Sequence, residues 1–177
     1  SVSNQAKCSG PANDDVHHQS AAGTARAGIH AAKFLLPENE HTAMSPEAFL
    51  QNALSPALRL LPASMTSREA CAMCIAIALQ ESRLKHRRQI GGPARSYFQF
   101  EQGGGVRGVL THPASKPRIM EVLMALDYDV NADATACYIA IEHNDILAAA
   151  FARLLLYTLP DPLPAREQPD IGYSQYL

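Results

Sequence analysis

Tryptophan is absent from this chain, aromatic residues make up only 6% of it, and cysteine occurs four times in 177 residues. Four cysteines do not build a disulfide framework in a chain of this length. Cys71 and Cys74 stand one helical turn apart in an apolar run, with no second Cys-x-x-Cys and no histidine pair nearby. They read as core thiols rather than as a metal clip or a redox pair. No apolar run approaches 20 residues, and no charged-then-apolar segment opens the sequence, so neither a membrane span nor a signal peptide is expected. Runs of β-branched residues are also scarce, while alanine and leucine are abundant, which favours helix.

What is present begins with segregated charge. The net charge of −2 conceals a balance of +6 over residues 81–118, where Arg83, Lys85, Arg87, Arg88, Arg95, Arg107, Lys116 and Arg118 face only Glu81 and Glu101. Residues 119–177 carry two arginines against nine acids, a balance of −7. A basic surface suits an anionic polymer, or is a solvated face without a partner. The basic residues lack interleaved aromatics, which argues against a single-stranded nucleic-acid platform. The triple glycine at Gly103–Gly105 has no following Gly-Lys-Ser/Thr, and Val106-Arg107-Gly108 is not expected to open a helix, so no nucleotide site is expected there.

The length permits one domain with a sizeable core. Residues 1–43 read as a polar arm or linker, with His17-His18 solvated and a short helix possible over 21–36. Residues 44–177 read as the globular unit. Ser45-Pro46-Glu47 predicts a helix start, with Pro56 breaking or restarting that helix. Thr66 and Glu69 fit a capping box for a helix over 67–84, apolar almost all the way round and therefore expected to be packed on every side. The alternation in Ser96–Glu101 predicts a short strand within an irregular, glycine-rich region spanning 85–116. A helix follows over 117–126, then a long one from an Asp133 cap to Leu159, interrupted by the polar turn Glu142-His143-Asn144-Asp145. The tail from Asp161 is expected to wrap the surface, with Tyr173 and Tyr176 packing down.

Glu81 lies at the mouth of the apolar helix. Partial burial and the negative end of the helix dipole both disfavour its charged form, as a general acid near neutral pH requires. A solvated glutamate paired to Arg83, Arg87 or Arg88 is the alternative reading.

The stretch over 66–105 resembles the catalytic region of the lytic transglycosylases and goose-type lysozymes, within the lysozyme-like superfamily. Glu81-Ser82 stands for that family's Glu-Ser pair at the end of a buried helix. Pro93-Ala94-Arg95-Ser96-Tyr97-Phe98-Gln99 stands where the family has Gly-Ala-x-Gly-Leu-Met-Gln, and Gln99 lies 18 positions after Glu81, as in the family. Ser96 replaces a glycine, and Tyr97-Phe98 replaces Leu-Met. The resemblance implies a mainly α, α+β lysozyme-like fold with a small irregular or β region beside the cleft. It implies cleavage of the MurNAc–GlcNAc β-1,4 bond of peptidoglycan by one acid/base glutamate, Glu81, forming a 1,6-anhydro product. Ser82, Gln99, Tyr97, Glu101 and Asn144 are the residues expected to touch substrate, Asn144 as the nearest match to an Ala-Tyr-Asn-like motif. No metal or organic cofactor is implied, and the partner is the glycan strand at the bacterial cell wall. Periplasmic, phage-virion and endolysin settings all fit. A hydrolytic muramidase using Glu101 or Asp145 to position water remains open, as does a non-catalytic glycan-binding or virion module.

Overall fold

The structure is a computed structural model and describes residues 42–164. The expectations for the polar arm, apart from Thr42 and Ala43, and for Cys8, Tyr173 and Tyr176 lie outside the described residues. The fold is mainly helical, and its centre is not the helix that carries Glu81. That place belongs to α7 (Asp145–Tyr157), in which every residue from Leu147 to Leu154 is buried. Its alanines at 148, 149, 150 and 152 let neighbours approach closely, while Leu147, Phe151 and Leu154 fill the space between them. Helices α2 (Ser55–Arg59), α3 (Arg68–Ser82), α4 (Arg107–Thr111), α5 (Lys116–Ala125) and α6 (Ala134–His143) all pack on it. The one charge at its buried centre is Arg153, whose Nε donates to the Met65 carbonyl oxygen at 2.6 Å. Burial lowers the pKa of this guanidinium from its ordinary value.

Helix α3 therefore departs from the expectation of all-round packing. Only Ala70, Cys74, Ala78 and Ser82, one residue per turn, are buried, and Leu79 is 38% exposed. The physical reason is size. Ala72 and Ala76 count as apolar in a periodicity argument, yet they expose little surface and favour helix without a covering partner. The start is also one residue later than expected: Ser67 is the N-cap and accepts from the Ala70 N–H at 3.2 Å, while Thr66 donates to the Ala63 carbonyl. Of the two expected core thiols, Cys74 is buried, which pushes its thiol up to about 12, while Cys71 is only half-buried; Cys137 is buried too, its thiol pushed up to about 11.

Ser45 caps α1 (Pro46–Phe49) as expected, accepting from the Ala48 N–H at 3.1 Å. Pro56 does not break the helical path. A π-helical turn over Leu50–Leu54 widens the backbone just before it and passes directly into α2. Asp133 caps α6 as expected, but the long helix predicted to Leu159 is two helices. Asn144 adopts extended backbone between them (φ −127°, ψ 99°) and restarts the chain as the N-cap of α7.

No strand ladder forms among the described residues. In place of the strand expected over 96–101, Arg95 and Phe100 exchange both backbone hydrogen bonds at 2.9 and 2.8 Å and close a four-residue loop. Ser96 (φ 66°) and Gln99 (φ 48°) take left-handed backbone in that loop. Tyr97 and Phe98 point inward onto Phe49, with ring centroids 5.9 and 5.8 Å apart, and Phe100 meets Phe151 of α7 at 6.3 Å. The triple glycine is helical too: Gln102–Val106 forms a π-helical turn that continues into α4, contrary to the irregular reading of this region. A Cβ on Gly105 would fall 2.5 Å from the Phe100 ring, so close packing there excludes a side chain.

Candidate functional site

Glu81 occupies the last turn of α3, and two successive left-handed residues, Arg83 and Leu84 (both φ 54°), turn the chain sharply away. Four of the five left-handed non-glycine residues among those described, Arg83, Leu84, Ser96 and Gln99, lie in the loop system next to Glu81. Such conformations cost about 1 kcal/mol or more each and persist where the surroundings over-determine them. Burial raises the Glu81 pKa above the ordinary glutamate value. Among the described residues its carboxyl has neither hydrogen bond nor ion pair, so the expected alternative of pairing to Arg83, Arg87 or Arg88 is not what the side chain does.

Ser82, the next residue, is buried and ties three segments together. Its hydroxyl donates to the Ala78 and Tyr97 carbonyl oxygens at 3.0 and 2.8 Å and accepts from the Leu84 N–H at 3.2 Å. Gln99 is held by its amide nitrogen, which donates to the Ser96 and His86 carbonyls at 2.7 and 3.2 Å. These bonds leave its amide oxygen as the end of the side chain available to a ligand. Ser82 thus positions the loop, and Gln99 both braces the loop and reaches open space.

Two clefts meet at these residues. One, of about 480 Å³, runs over Phe98, Phe100, Gly104, Gly105, Leu155 and Leu156, with Glu101 on its wall. The other, of about 430 Å³, is lined by Arg83, Lys85, His86, Gln89 and Ile90. Glu81 and Gln99 line both, and are the residues the two linings share. An extended ligand passing from one cleft to the other would cross the protonatable carboxyl of Glu81.

The remaining expected residues divide. Glu101 is exposed and shares the first cleft with Glu81. Tyr97 lines neither cleft. It is 4% exposed, because its ring is taken up by Phe49 and covered by the Arg87 guanidinium at 4.6 Å. Asn144 lines neither cleft either. Its Oδ1 accepts from the Leu147 N–H at 3.0 Å as the α7 cap, and its Nδ2 donates to the Tyr128 hydroxyl at 3.3 Å. Asp145 is held by Arg87 in a two-pronged pair at 2.8 and 2.6 Å, which removes it as a carboxylate to position water.

The same pairing explains part of the charge segregation. Arg87 meets Asp145, Arg95 meets Glu142 at 3.1 Å while its guanidinium stacks 4.3 Å from the Tyr138 ring, and Arg118 meets Glu121. The first two pairs stitch the basic loop to the acidic junction of α6 and α7, whereas Arg118–Glu121 lies within α5. The sequence shows these charges but not which of them cancel. Nor does it show Phe100 and Leu155 as cleft walls, since their partners lie far along the chain. Among the described residues no cluster of three or more histidine, cysteine, aspartate or glutamate side chains forms, and no helix is long and apolar enough to cross a membrane. Comparison with family models, with curated proteins and with solved structures finds no match.

Proposed function

We propose that this chain is a peptidoglycan-cleaving glycosidase of lysozyme-like character, acting as a lytic transglycosylase with Glu81 as its acid and base. The observation that carries the reading is the position of Glu81: an unpaired, partly buried carboxyl of raised pKa at the junction of two clefts, beside Gln99. A left-handed Ser96, at the position where the resembled family has glycine, supports the same reading from the backbone.

In this mechanism Glu81 donates its proton to the oxygen between N-acetylmuramic acid and N-acetylglucosamine as that bond breaks. The acetamido oxygen of the muramyl sugar forms a bond to its own C1 and holds the positive charge. Glu81, now a carboxylate, removes the proton from the C6 hydroxyl. O6 then bonds to C1 and releases the acetamido oxygen, which closes the 1,6-anhydro ring and restores the carboxylic acid. Ser82 acts by fixing the loop, and Gln99 by orienting the sugar amide.

A hydrolytic muramidase is the second reading, favoured by Glu101 in the same cleft. In that case Glu101 positions a water on the far face of the sugar. A non-catalytic glycan-binding module is the reading from another class. The wall-bound setting follows from the substrate and fits a periplasmic enzyme, an endolysin or a virion component.

Digestion of purified peptidoglycan, with products read by mass spectrometry, separates these readings. Fragments one water lighter than reducing-end muropeptides are expected. Reducing-end fragments would select the muramidase, and binding without products would leave the glycan-binding module.

A further inference from the structure

The two clefts that meet at Glu81 differ in charge, and the difference arises from which cations the fold leaves unpaired. Arg87, Arg88, Arg95 and Arg118 all face carboxylates of the acidic segment. Arg83 and Lys85 have no ion pair among the described residues, and both line the cleft on the loop side of Glu81. His86 lines it too, and Ile90, 81% exposed, forms an outer apolar wall. The other cleft holds no cation. Its walls are Phe98, Phe100, Leu155 and Leu156, and its only ionisable side chains are Glu101 and the shared Glu81.

We infer that the Arg83–Lys85 cleft is a carboxylate-reading subsite that sets the direction in which a glycan strand lies across Glu81. This rests on the glycosidase reading and adds to it the identity of the sugar on each side. Two unpaired cations beside an exposed isoleucine suit a carboxylate next to a methyl group. The lactyl ether of muramic acid presents that combination, as does a peptide attached there. The apolar cleft with Glu101 repels an anion and suits the uncharged N-acetylglucosamine, whose ring face packs on aromatic and leucine side chains. The muramyl sugar therefore occupies the Arg83–Lys85 side.

The test uses the full chain carrying Glu81→Gln, so that ligands bind without being cut. Calorimetry compares three tetrasaccharides: chitotetraose, the alternating GlcNAc–MurNAc form with free lactyl carboxylates, and the same form bearing stem peptides. The account expects at least one of the two muramyl ligands to bind about tenfold more tightly than chitotetraose at low salt, with the preference fading as salt screens the cations. Preference for the peptide-free form identifies the lactyl group as the anion; preference confined to the peptide-bearing form identifies the peptide. The preference should vanish when Arg83→Gln and Lys85→Gln are added, while chitotetraose binding stays the same. It should survive in Arg107→Gln, which alters a cation lining a different cleft. Equal affinity for all three sugars, or a preference insensitive to both salt and the double substitution, overturns the subsite and leaves the glycosidase reading standing. Failure to bind any of the three removes the glycosidase reading itself.

Discussion

The Ser82 hydroxyl reaches the Tyr97 carbonyl oxygen at 2.8 Å, so the residue beside Glu81 is bonded to the loop that carries Gln99. The end of α3 and the 95–100 loop thus hold one geometry. Replacing this serine with alanine leaves the Tyr97 carbonyl and the Leu84 N–H without their partner inside the protein. Ser82→Ala should lower stability by about 1–3 kcal/mol. Urea unfolding checks this as a lower midpoint at unchanged slope. An unchanged midpoint would show that the bond does not hold the loop.

Of the three glycines before α4, Gly105 should behave differently from the other two. A Cβ at Gly103 meets nothing within 4 Å, whereas one at Gly105 strikes the Phe100 ring. Gly103→Ala should be neutral or stabilising by up to about 1 kcal/mol, since alanine is the better helix former. Gly105→Ala should destabilise by about 1–3 kcal/mol through overpacking. Thermal melts of the two variants side by side decide the point, and equal melting temperatures would refute the packing argument.

Asn144 is a cap, and its substitution should affect folding rather than turnover. Asn144→Ala should cost about 1 kcal/mol, from the lost bond to the Leu147 N–H. Asn144→Asp restores an acceptor and should recover most of that loss. Wall-cleavage rates measured well below the melting temperature should be the same in both variants. A large fall in rate with stability intact would instead place this side chain at the substrate.

Glu81 ties stability to pH. Its folded pKa lies above the unfolded value of about 4.3, so the folded state holds this proton more tightly. Below the unfolded pKa both states are protonated and no difference arises. As pH rises through that value, stability falls until the folded pKa is passed. Glu81→Gln lacks this loss. It should match the parent near pH 3 and exceed it at pH 7, as read by denaturation at the two pH values. A variant less stable than the parent at neutral pH would mean that the carboxylate has a favourable partner.

Two helix caps read well from the sequence, while the Thr66 capping box, the 96–101 strand and most tertiary choices did not. Ser45 and Asp133 cap their helices as their positions suggest, because a cap needs only its own next three residues. The apolar content of α3 was legible, but its burial was not: small side chains on Ala72 and Ala76 leave the outer face of a helix content in solvent. The apolar run Phe151, Leu154, Leu155 and Leu156 reads as core in the sequence, and all but the half-buried Leu155 are buried. The start of this helix was not legible, since the polar turn at Asn144 reads as an exposed turn or a functional wall and not as a cap. Glu81 and Gln99 could be paired only through the family resemblance, whose spacing they match. The cancellation of Arg87 by Asp145 could not, because 58 residues separate them and only the fold brings them together. Glu101 reached the cleft, whereas Tyr97 turned into the core with its aromatic neighbours.

The most direct test of the account is the rate at which the intact chain and Glu81→Gln clear a suspension of purified peptidoglycan at neutral pH, with both proteins shown to be folded. Loss of the general acid should slow clearing by about 10²–10⁴-fold. A Glu81→Gln chain that clears the wall as fast as its parent would contradict the central claim, and with it the assignment of Glu81 as the acid.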